Sequence, residues 1–101
     1  MLSESTKKLF VNKYLSIGED KFYAFLLNYS NNKINESDTE GGNPALELIE
    51  YYTTFLKLYR KEGDTIYLDL AKLFRKAAHK IYRTALKKGL VNRNLKFLNL
   101  I

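Results

Sequence analysis

Cysteine is absent from this chain of 101 residues, and histidine occurs only once. The lack of cysteine excludes disulfides, thiolate metal sites and cysteine nucleophiles. A single histidine excludes a metal site built from several histidines of one chain. The sequence also shows no phosphate-binding loop and no paired acid and base, so we predict no catalytic residue, no metal and no cofactor.

Long apolar runs are lacking as well. No run approaches the roughly 20 apolar residues that a membrane-spanning helix needs. The opening residues, MLSESTKK, do not form the apolar core of a signal peptide. We therefore expect no transmembrane segment and a cytoplasmic location.

The residues that are present suit one folded domain over residues 1–101. Hydrophobic residues make up 46% of the chain and aromatic residues 14%, which is enough to bury a core. Proline occurs once and glycine five times, so these residues punctuate the chain at a few points. Gly18 separates a first segment (4–17) from a second, and Gly63 and Gly89 end a third and a fourth.

The third and fourth segments carry clear helix signals. Asn43 can cap the third, Pro44 suits its first helical position, and Gly63 stops it. Asp64 or Thr65 caps the fourth, which runs over about 64–88. Its apolar arc covers about half of the helical wheel, so we expect it to pack against two or three neighbours. That arc contains Ile66, Tyr67, Leu70, Phe74, Ala77, Ala78, Ile81, Tyr82 and Ala85.

The first half of the chain is less regular. Residues 20–30 fit a helix or a strand, and we favour a helix because no second strand signal exists for pairing. Residues 30–43 are polar and predict a flexible loop, whereas 90–101 form an apolar tail. The fold class predicted is all-α: a small bundle of about four helices centred on the helix at about 64–88.

Charge is divided unevenly along the chain. Residues 1–70 hold eight basic and eleven acidic side chains, and residues 71–101 hold nine basic and none acidic. On the helical wheel, six of the seven basic residues of the fourth segment and the histidine occupy one continuous arc opposite the apolar arc. This basic face consists of Lys72, Arg75, Lys76, His79, Lys80, Arg83 and Lys87.

The basic face is typical of a surface that binds a polyanion, most commonly nucleic acid. Lysine outnumbers arginine, which favours contacts to phosphates over bidentate contacts to bases. We therefore predict a non-enzymatic accessory or regulatory protein that binds nucleic-acid backbone with little sequence preference. A solvated helix face, an acidic protein partner and an anionic membrane surface remain open, as does folding of the acidic residues 36–40 onto the face.

The alternative function is that of a protein-interaction module. Such a module would self-associate or dock on a larger partner through the apolar tail, residues 90–101, and through tyrosine-rich helix surfaces. The tyrosines in question are Tyr51, Tyr52, Tyr59, Tyr67 and Tyr82.

One acidic pattern resembles a known metal motif over twelve residues. Glu36, Asp38, Glu40, Gly41 and Glu47 have the spacing of the calcium-binding helix–loop–helix family. The pattern departs from that family in its first residue, which is usually an aspartate. The polar residues before it also predict no incoming helix. An acidic loop that leads into a capped helix accounts for the same residues.

Overall fold

A computed structural model describes the backbone of residues 3–36 and 44–87 and the side chains of residues 3–30 and 45–84. These ranges form three α-helices and no strand: α1 (Glu4–Glu36), α2 (Pro44–Glu62) and α3 (Thr65–Lys87). The predicted all-α class is confirmed. No helix in the described ranges is long and apolar enough to span a membrane.

Within the described ranges the predicted number of about four helices is corrected to three, because the first two predicted segments belong to α1. Gly18 interrupts this helix with φ 85° and ψ 174°, so the chain bends there and resumes the helix without a loop. The bend is sharp. The Lys13 ammonium nitrogen lies 4.5 Å from the centroid of the Phe25 ring, although twelve residues separate the two. We call residues 4–17 the N-terminal arm of α1 and residues 19–36 its C-terminal arm.

The start of the predicted loop over 30–43 is also corrected, because α1 continues to Glu36. Phe22, Leu26 and Ser30 are all buried and recur every four residues, so the packed face of the helix extends to the predicted loop's first residue. No glycine or proline follows before Gly41 to stop the helix. Residues 37–43 and the tail, 90–101, lie outside the described residues.

The boundary between α2 and α3 follows the predicted signals. Pro44 is the first residue of α2. Gly63 has φ 77°, and its N–H donates to the carbonyl oxygen of Tyr59 at 2.7 Å, which closes the end of α2. The side-chain oxygen Oδ1 of Asp64 accepts the N–H of Ile66 at 3.1 Å, so Asp64 caps α3.

The core lies around α3, which packs against both α2 and α1, whereas α1 and α2 contact each other little. Phe74 is fully buried at its centre. Its ring stacks on that of Phe55 with centroids 5.5 Å apart, and it meets the rings of Phe10 at 5.2 Å and Phe22 at 6.0 Å. Edge-on and stacked ring pairs of this kind stabilise a core beyond the area that they bury. Both arms of α1 are thereby joined to α3.

Candidate functional site

The two sides of α3 differ in chemistry. The predicted apolar arc faces the core, and its described members from Leu70 to Tyr82 are buried. On the opposite side Lys72, Lys76 and Lys80 are exposed. Because Lys72 and Arg83 are eleven residues apart, the described part of the basic face extends about 16 Å along the helix axis. Lys87 belongs to the same helix, but its side chain lies outside the described part of the molecule.

The basic face forms one wall of a concave site. A cavity of about 440 Å³ opens between α3 and the C-terminal arm of α1, where Tyr23 lines it. We call this cavity the basic groove. No carboxylate occurs among the described residues that line it. On α3 it is lined by Lys72, Arg75, Lys76, His79, Lys80 and Arg83.

Tyr23 is the part of the site that the sequence analysis missed. Its ring is half-buried against the core, and the ammonium nitrogen of Lys76 lies 4.6 Å from the ring centroid. That distance is within the range of a cation–π interaction, which stabilises such a pair even at an exposed site. The contact fixes a ring at the edge of the groove, next to the cations of α3.

His79 lies between two arginines in the groove. The partial burial of its imidazole lowers its pKa, and the nearby guanidinium groups of Arg83 and Arg75 lower it further. All three causes disfavour a positive charge on the ring and favour the neutral imidazole. The lasting positive charge of the groove therefore comes from its lysines and arginines.

Asp69, the last acidic residue before the basic face, contacts the N-terminal arm of α1. Asp69 lies three residues before Lys72, and its carboxylate interacts with the hydroxyl of Tyr14 in the N-terminal arm of α1. Burial is the larger cause of the raised pKa of Tyr14, and the charge of Asp69 adds to it. This acid thus faces the N-terminal arm, whereas Tyr23 and the groove lie at the C-terminal arm.

A second concave surface lies at the bend of α1. Lys13 and Lys21 line a cavity of about 510 Å³ there, together with the ring of Phe25. The ammonium of Lys13 covers that ring. With two cations, this surface carries less charge than the basic groove.

The structure corrects one expectation about the residues that resemble a calcium-binding motif. The incoming helix that the sequence did not predict is present, because α1 ends at Glu36 and α2 begins eight residues later at Pro44. The residues between them lie outside the described ranges. The carboxylate of Glu47 is 3.4 Å from the hydroxyl of Tyr29 and 3.3 Å from that of Tyr51, and both hydroxyls donate to it. Within the described ranges no three acidic or histidine residues are grouped to hold a metal.

The chain was compared with protein-family models, with curated proteins and with solved structures, and none of these matched it.

Proposed function

We propose that this protein binds the phosphate backbone of nucleic acid in the basic groove and acts by binding rather than by catalysis. The observation that carries the proposal is the composition of the groove: five lysines and arginines and one histidine, with no carboxylate among the described lining residues. Like charges held this close repel one another, and a bound polyanion relieves that repulsion.

The length of the groove suits a partner with many regularly spaced charges. Duplex DNA carries one negative charge per about 1.7 Å of axis, so 16 Å of duplex offers about nine phosphates to the five permanent cations. Lys72, Lys76 and Lys80 act as point charges that contact phosphates without reading bases. The proposal is therefore of binding with little sequence preference.

Fluorescence-anisotropy titrations of labelled duplex DNA and single-stranded RNA, repeated across a salt series, test the proposal. If about five phosphates are neutralised, the logarithm of the association constant for duplex should fall with the logarithm of salt concentration with a slope of about −4 to −5. If the protein binds neither duplex DNA nor single-stranded RNA at low salt, the proposal is wrong.

A triple variant locates the binding surface. Replacing Lys76, Lys80 and Arg83 with Gln removes three of the five permanent cations from positions off the core. The slope should then fall to about −2, and the affinity near 0.15 M salt should drop by about a hundredfold, because each lost phosphate contact removes about 0.9 from the slope. Circular dichroism should show unchanged helix content.

The chain offers a matched control at the end of α2. Lys57, Arg60 and Lys61 are exposed and comprise the same residue types, so replacing them with Gln lowers the net charge equally. Affinity should change by less than about threefold, because these side chains do not line the groove and salt near 0.15 M screens exposed charges over about 8 Å. Equal losses in the two triple variants would mean that binding follows net charge and not the groove.

The alternative function, a protein-interaction module, receives less support from the described residues. Tyr82 is buried in the core, and the half-buried ring of Tyr51 packs against the core, with its centroid 5.3 Å from that of Phe74. The apolar tail, 90–101, lies outside the described residues. Sedimentation of the full chain and of a chain without residues 95–101 tests the alternative, which requires an assembly that the deletion weakens.

A further inference from the structure

We infer that the nucleic acid in the basic groove is single-stranded, with one base stacked on the ring of Tyr23. This inference rests on the proposed function and names the class of nucleic acid that the groove fits best. It starts from the place of Tyr23, which lines the groove from α1 while six basic residues line it from α3. A groove that tracks a phosphate backbone and presents an aromatic ring to a base is typical of single-strand binding.

The shape of the site favours a single strand over a duplex. The groove has a volume of about 440 Å³, within the range of about 300–1,000 Å³ found for small-ligand sites. That volume suits a nucleobase beside its phosphate. In a duplex the bases are stacked and paired, and a base must be extruded before it can reach a side chain. In a single strand the bases can turn outward and stack on an aromatic side chain at much lower cost.

Binding of a strand requires that a base replace the ammonium of Lys76 on the ring of Tyr23. The ammonium nitrogen of Lys76 now lies 4.6 Å from the ring centroid. When a strand enters, this ammonium moves to a phosphate and a base takes its place on the ring. The cation–π interaction that is lost is worth about two- to fivefold in an equilibrium constant. Stacking of a base on an aromatic ring is worth about fivefold to a hundredfold, so the exchange favours the bound strand.

The experiment compares three probes by anisotropy or competition at one salt concentration. They are an oligo(dT) of about twelve nucleotides, within the site sizes of single-strand binders, the same oligonucleotide without bases at its central positions, and inorganic polyphosphate. We expect oligo(dT) to bind the wild-type protein at least about fivefold more tightly than the abasic strand. Oligo(U) replaces oligo(dT) in a parallel arm to compare RNA with DNA.

Two variants of Tyr23 assign the preference to this ring. Tyr23→Phe keeps the ring and should keep the preference for bases, whereas Tyr23→Leu should abolish it. The affinity of Tyr23→Leu for polyphosphate should rise by up to about two- to fivefold, because Lys76 no longer has to leave an aromatic ring to reach a phosphate. The wild-type comparison holds even if Tyr23→Leu fails to fold. Equal affinity of the wild-type protein for oligo(dT) and the abasic strand would overturn the inference and leave the proposed function standing. A preference for bases that survives in Tyr23→Leu, folded as judged by circular dichroism, would also overturn it. Failure to bind any of the three probes would overturn the inference, and failure to bind duplex DNA as well would overturn the proposed function.

Discussion

The rings of Phe10 and Phe22 meet edge-on, with centroids 6.3 Å apart and planes at 87°. Twelve residues separate them on α1, so an uninterrupted helix would place them about 18 Å apart. They meet because Gly18 adopts φ 85° and ψ 174°, a backbone region that is essentially restricted to glycine. The bend brings both arms of α1 onto Phe74 and creates the side of the bundle on which Tyr23 lies.

Replacing Gly18 with Ala should therefore destabilise the protein. A Cβ atom at this position would meet no atom within 4 Å, so the cost comes from the backbone conformation and should be about 1–3 kcal/mol. Urea denaturation followed by circular dichroism measures it. The control is Ser16→Ala at an exposed position of the same arm, which should change the free energy of unfolding by less than about 0.5 kcal/mol. If Gly18→Ala has the same midpoint of urea unfolding as the wild-type protein, the bend does not require glycine.

The sequence predicted the place of this break but not its consequence. A glycine between two apolar segments indicates where a helix is interrupted, because glycine is a poor helix former. Whether the chain then enters a loop or resumes the helix at once depends on the contacts made beyond the break. Here Phe22 and Leu26 are buried against the bundle, and these contacts between distant parts of the chain hold the C-terminal arm in place. One kinked helix therefore stands where the pattern predicted two.

Phe74 should be among the side chains most costly to truncate. It is fully buried and contacts rings from both arms of α1 and from α2, including Phe55 and Tyr51. Replacing it with Ala should lower the free energy of unfolding by about 3–5 kcal/mol through lost burial and the cavity left behind. Leu9→Ala, at a residue that is 61% exposed, serves as the control and should cost far less. Equal costs would show that Phe74 is not at the centre of the core.

The basic groove shows a similar division between what the sequence could and could not predict. The six described basic residues follow from helical periodicity, because a helix with a broad apolar arc must present its remaining residues on the other side. Tyr23 lies on another helix, and its approach to Lys76 depends on the bend at Gly18. Residues on separate helices are brought together by packing, and periodicity within one segment carries no information about that packing.

Ser30 should be replaceable with Ala without loss of stability. Its side chain is fully buried, and its hydroxyl oxygen has no hydrogen-bond partner among the described residues. A buried polar group without a partner costs about 1–3 kcal/mol. Removing the hydroxyl should therefore raise the urea midpoint, and Ala is also the better helix former. Thermal and urea unfolding of Ser30→Ala and wild type test this. A clear loss of stability would mean that the hydroxyl has a partner in the folded protein.

The free protein should become less stable as the pH is lowered, and part of this loss should depend on His79. The pKa of His79 is lowered by partial burial and by Arg83 and Arg75, so below its ordinary pKa of about 6.5 the unfolded chain binds more protons than the folded one. Stability is therefore lost as the pH falls from about 6.5 toward the lower pKa of His79 in the folded protein. His79→Gln should remove this part of the pH dependence. An unchanged difference in urea midpoint between pH 8 and pH 5.5 in this variant would contradict the prediction.

Binding of a polyanion should have the opposite pH dependence. The charged and titratable groups that line the groove together with His79 are, among the described residues, Lys72, Arg75, Lys76, Lys80, Arg83 and, from α1, Tyr23. Burial is the largest cause of the lowered pKa of His79, and the charges of Arg83 and Arg75 lower it further. A phosphate chain laid over the groove offsets the effect of those charges, so the pKa rises and binding takes up a proton. Affinity should therefore increase as the pH falls toward the lowered pKa of His79 in the free protein. Anisotropy titrations from pH 8 to pH 5.5 measure this, with His79→Gln as the variant in which the increase should disappear. An increase that persists in His79→Gln would place the proton on another group, and no change in the wild-type protein would place the phosphates away from His79.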